Sequence, residues 1–99
     1  NRCAKVLRKG VAPAFPVRVH QVIMREHEFG DCSLVTKGKP HFLIRLKKDM
    51  TPDMVLFVLT HEWAHTLAWT MEHQDFIKDH DAEWGVAYAR CWKVVSGTE

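Results

Sequence analysis

The chain has no run approaching the roughly 18 apolar residues that a membrane-spanning helix needs, and its start does not follow the pattern of a secretory signal peptide. It also shows no internal repeat and no low-complexity tract, which excludes solenoids and disordered polar tails. Cysteines are scarce: Cys3, Cys32 and Cys91 are odd in number and lack the paired spacing of a metal ribbon or a disulfide framework. Free or buried thiols in a reducing, cytoplasmic setting are therefore expected. What remains is a single domain over 1–99, 46% hydrophobic, able to bury one modest core. A monomer is expected, with a bound metal adding stability at this size. The chain begins at Asn1 rather than Met, as a processed or trimmed product would.

Against this background one stretch stands out. His61-Glu62-Trp63-Ala64-His65 matches H-E-x-x-H inside a segment that reads as helix. Imidazoles four residues apart stack on one helical face, where both can reach a single Zn²⁺, and Glu62 lies beside the solvent such an ion would hold. Thr51 can cap this helix, Pro52 suits its first position and Asp53 complements its dipole. The run Met54-Val55-Leu56-Phe57-Val58-Leu59-Thr60 is apolar on every side and predicts a helix buried in the middle of the domain. Two histidines and a glutamate there need partners, since a single unsatisfied buried polar group costs roughly 2–7 kcal/mol. The competing reading is a solvated edge.

A catalytic zinc has three protein ligands and an open position. A metzincin needs glycine at position 68 and histidine at position 71, but the chain has Ala68 and Met71, which excludes that pattern. His73 is rotated away from the His61/His65 face and reads as a solvated helix end. Glu83 could serve in the manner of a gluzincin. Cys32, within Gly30-Asp31-Cys32-Ser33-Leu34, resembles the upstream cysteine ligand of peptide deformylases. His80 is the best candidate: residues 71–79 read as a returning loop, and a new helix begins just after it. Asp81 can cap that helix, and Trp84, Tyr88, Cys91 and Val95 recur as a buried stripe. The competing reading of His80 is part of an ordinary cap.

The chain resembles the SprT-like zinc metallopeptidases, a group that includes proteases of DNA-protein crosslinks. The likeness rests on His61-Glu62-Trp63-Ala64-His65, on the fifteen-residue step from His65 to His80, and on Trp84 four positions later. It covers roughly residues 40–95. The resemblance implies that His61, His65 and His80 are zinc ligands and Glu62 the general base. Where the family commonly has His-Gly-Pro-Glu, this chain has His80-Asp81-Ala82-Glu83, and the residues given after it include no paired cysteines like those of the family's zinc ribbon.

The rest of the chain predicts an α+β, zincin-like domain. Asn1 to Lys9 reads as a short N-terminal helix stopped by Gly10, with Pro13 and Pro16 holding the next segment extended. Val17 to Arg25 reads as a strand, and Cys32–Thr36 with His41–Lys47 as a hairpin around Lys37-Gly38-Lys39-Pro40. The expectation is a three-stranded, mostly antiparallel sheet packed on the central motif helix and a C-terminal helix that ends near Gly97. His41–Lys47 is the strand expected to hold extended substrate by β-augmentation, or simply to cover the core.

Charge is divided. Residues 1–48 contain eleven Lys or Arg and three Asp or Glu, about +8, whereas residues 49–99 contain three basic and nine acidic residues, about −6. Arg18, Arg25, Lys37, Lys39, Arg45, Lys47 and Lys48 form a candidate contact set for nucleic acid or an acidic substrate, or are solvated charges that protect a sheet edge. The expected activity is zinc-dependent hydrolysis of a protein or peptide substrate, with His73 and Tyr88 as candidate oxyanion partners. The alternatives are a zinc-stabilised nucleic-acid-binding or interaction module and a deformylase-like amidase.

Overall fold

The structure, a computed structural model, describes residues 2–69 and 82–97. Along the chain come α1 (Arg2–Gly10), β1 (Val17–Val22), β2 (Gly30–Val35), β3 (His41–Lys47), α2 (Pro52–Ala68) and α3 (Ala82–Ser96). No helix among the described residues is long and apolar enough to cross a membrane.

Local chemistry sets the start of α2. Thr51 has extended backbone, and its hydroxyl accepts from the Met54 amide at 3.3 Å while its carbonyl accepts from Val55 at 2.9 Å. Pro52, with no amide hydrogen to leave unsatisfied, takes the first helical position. From Leu59 onward one side of the helix is buried, with Leu59, Trp63 and Ala64 all at 0% exposure. Its first two turns differ from expectation. Met54 is 38% and Phe57 57% exposed, so the apolar run is not covered on every side.

The sheet is mixed rather than mostly antiparallel, with strand order β1-β3-β2. The chain runs out along β1 and back along β2, and β3 then inserts between them. It pairs antiparallel with β2 and parallel with β1. At its far end β3 is tied to both neighbours, Lys47 donating to the Phe29 carbonyl at 2.9 Å and Lys48 to the Val22 carbonyl at 3.0 Å. The hairpin turn is closed by Gly38 at φ 77°, a backbone angle that suits glycine. β1 ends at Val22, short of the expected Arg25, because Ile23 points into solvent at 88% exposure and Glu28 donates back to the Arg25 carbonyl in a turn.

Alternation along β3 directs Phe42, Ile44 and Leu46 into the core at 2%, 0% and 0% exposure. The register sets Leu34, Cys32 and Gly30 of β2 on the same face, towards α2, with Val17 and Val19 of β1. Below the sheet, α2 packs against α1 and α3. The Trp63 indole donates to the Val11 carbonyl at 2.9 Å in the buried interior and so fastens the segment after α1 onto the central helix. At the other end of the chain, α3 runs to Ser96 with Gly97 donating to the Lys93 carbonyl, close to where the sequence stops it.

Candidate metal centre

The second half of α2 carries the site. His61 and His65, one turn apart, bring their ring centroids to 5.2 Å, and the ligand atoms of His61, Glu62 and His65 all lie within 4.8 Å of one another. Both imidazoles are half-buried, and Glu62 is 8% exposed. Two imidazole nitrogens and a carboxylate oxygen at this separation could hold a divalent metal ion. Among the described residues this is the one such grouping of His, Cys, Asp and Glu.

An aromatic wall from α3 fixes the imidazoles. Trp84 lies 5.0 Å from His61 and 5.7 Å from His65 between ring centroids, stacks on Tyr88 at 4.6 Å, and donates its indole N–H to the His61 carbonyl at 3.4 Å. Tyr88 itself stands 6.2 Å from the His61 ring. Rings packed against them from α3 leave the histidines fewer alternative rotamers. Such pre-organisation lowers the ordering cost of binding an ion.

The opposite wall is β2, brought close by a missing side chain. A Cβ on Gly30 would lie 2.6 Å from Val58 Cγ1, 3.1 Å from the Arg45 carbonyl oxygen and 3.5 Å from Glu62 Cγ, so only glycine permits this approach without a shift. Two residues on, Cys32 faces the same way. Burial pushes its thiol well above the ordinary cysteine range, and the nearby charges of Glu62 and Asp31 push it further.

Alongside Glu62, residues 27–30 and α2 leave a cleft of about 630 Å³ lined by Phe29, Gly30, Met54, Phe57, Val58, His61 and Glu62, with His27 and Glu28 at the rim. The sequence reading missed this cleft. Its signal was present, since positions 54, 57, 58, 61 and 65 fall on one helical stripe, but an apolar run read as buried all round concealed the exposed side.

His61, Glu62 and His65 are thus brought together as expected. His73, His80, the expected cap Asp81 and the side chain of Glu83 lie outside the described residues. The basic contact set is not gathered in one patch. Arg18, Arg45 and Lys47 share the outer sheet face, away from Glu62, while Lys37 and Lys39 lie in the turn at the opposite end of β3 from Lys47 and Lys48, a separation of about 20 Å at ~3.3 Å per residue. Arg45 is held in a two-pronged ion pair with Asp31, and Lys47 sits over the Phe29 ring at 5.4 Å. β3 is central, paired on both sides, so it cannot take up a substrate strand; among the described residues the sheet edges are β1 and β2. In comparisons with known proteins, no family model, no curated protein and no solved structure matches the chain.

Proposed function

We propose that this domain is a zinc-dependent peptidase, of SprT-like type, cleaving peptide bonds at the His61/Glu62/His65 centre. The observation that carries the reading is the convergence of these three side chains, two of which, His61 and Glu62, line an open cleft. The donor set suits zinc, which takes imidazole nitrogen readily and in catalytic sites combines three protein ligands with an open position. His61 and His65 would be two of the ligands and His80 the third. When bound, zinc supplies a Lewis acid that polarises a carbonyl and makes water acidic near neutral pH.

Glu62 does the proton work. Being largely screened from solvent yet at the cleft, its carboxylate accepts a proton from the attacking water and returns it to the departing amine. Trp84 holds the imidazoles in register, and the backbone of β2 at Gly30, an edge strand beside Glu62, offers hydrogen-bonding groups to an extended peptide. This assignment moves the substrate strand from β3 to β2.

The test is metal content beside turnover. Glu62→Gln should retain zinc stoichiometry while cleavage of an unstructured protein such as casein falls at least about a hundredfold, the scale of a lost general base. His61→Ala should lose zinc and activity together, and chelation should abolish activity reversibly. If Glu62→Gln cleaves like the wild type, the peptidase reading is wrong. Comparing zinc content of His80→Ala with that of Cys32→Ala separates this centre from a deformylase-like one, with loss in the former expected.

A further inference from the structure

We infer that the cleft beside Glu62 is a specificity pocket that accepts one large apolar side chain, Phe, Leu or Met, from the residue flanking the scissile bond. This inference rests on the peptidase reading. Three large apolar side chains line the cleft and remain substantially open to solvent: Phe57 at 57%, Phe29 at 45% and Met54 at 38%. With Val58 they make an apolar surface that runs along one stripe of α2 directly into His61 and Glu62. Apolar surface left exposed beside a reactive centre gains most from an apolar occupant, because burying it removes both faces from water.

Size and rigidity support the same occupant. The volume of about 630 Å³ lies within the roughly 300–1,000 Å³ typical of small-molecule pockets, enough for a large side chain together with its adjoining backbone. Two of the walls are braced: Phe57 meets the Trp92 ring of α3 edge-on at 5.4 Å, and Phe29 lies under the Lys47 ammonium. Met54 at the mouth can re-pack around occupants of different shape. Gly30 contributes backbone in place of a side chain, and the polar groups His27 and Glu28 stay at the rim. A charged side chain entering so far would lose much of its hydration against Phe29, Met54, Phe57 and Val58, with carboxylates present only at Glu28 on the rim and at Glu62, which the mechanism already uses.

The experiment has two arms. In the first, zinc-loaded protein is given quenched-fluorescent peptides varied at the residues on either side of the cleavage point. Phe, Leu or Met at one flanking position should raise kcat/KM about tenfold or more over Ala, the scale on which a hydrophobic pocket discriminates. Met54→Lys and Phe57→Ser, both at exposed positions, should bring that ratio towards one. In the second arm, zinc-loaded Glu62→Gln is titrated with acetyl-Ala-Ala-Phe-Ala-Ala-amide or its all-alanine counterpart and monitored by amide NMR. The Phe peptide alone should shift Gly30, Met54 and Phe57, and Met54→Lys should remove the shifts. Shifts without cleavage by the wild type would keep the pocket and overturn the peptidase reading. Cleavage with a flat preference, or a preference that survives both variants, would overturn the pocket and keep the peptidase.

Discussion

Replacing Gly30 by alanine tests whether the close approach of β2 to α2 shapes the site. The added methyl would stand 2.6 Å from Val58 Cγ1 and 3.1 Å from the Arg45 carbonyl oxygen, where carbon contacts normally settle at roughly 3.5–4.0 Å. Neither neighbour yields easily: Val58 is β-branched and held to one rotamer on a helix, and Arg45 contributes the backbone of the central strand. Overpacking of this kind costs about 1–3 kcal/mol. Because Gly30 does not have a positive φ, alanine also gains about 0.4–1 kcal/mol by restricting the unfolded chain. The net expectation is a destabilisation of about 1–2 kcal/mol. Val58→Ala removes the obstructing methyls, so the double variant should be more stable than the sum of the single changes by about 1 kcal/mol. Urea unfolding of metal-free protein measures this without the contribution of ion binding. Turnover should obey the same logic, falling in Gly30→Ala as Val58 presses on the turn that carries Glu62, and recovering in the double variant. A Gly30→Ala protein as stable as the wild type, or strict additivity in the double variant, would refute the steric account.

Two further outcomes concern the core. Trp63→Phe leaves the Val11 carbonyl without its buried donor and removes ring volume from a fully enclosed side chain, a loss of about 2–4 kcal/mol in urea or thermal unfolding; a loss under about 0.5 kcal/mol would show that the bond is not structural. The Cys91 thiol is pushed up from 9.0 to about 12, first by burial and then by Cys3, with Arg90 opposing. Between those values the unfolded chain has released a proton that the folded chain retains, so the stability this thiol contributes is complete below pH 9 and lost as pH rises towards 12. Cys91→Ala should flatten the alkaline fall in stability over that window, and an unchanged pH profile would exclude Cys91 as its source.

The elements that the sequence made legible are those set by neighbours a few residues apart. Thr51 and Pro52 mark the start of α2, the i, i+4 spacing joins His61 to His65, and the alternation of Phe42, Ile44 and Leu46 marks β3 to its observed bounds, because each signal is local. Sheet order is a different kind of fact. Alternation reports which face of a strand is covered but carries no information about its edges, so β3 read equally well as an exposed strand and as the centre of the sheet. The overrun of β1 has the same origin: Ile23 suits a strand by propensity, yet it stands in solvent where the chain turns to pass the end of β3. At the site, the ligand pair needed one helix and was visible, whereas the cleft needed residues 27–30 and 54–62 to meet across the Gly30 contact. Near Glu62 the strand can lie directly on α2 because Gly30 has no side chain, and one to two turns earlier the exposed Met54 and Phe57 line the apolar cleft that reaches His61.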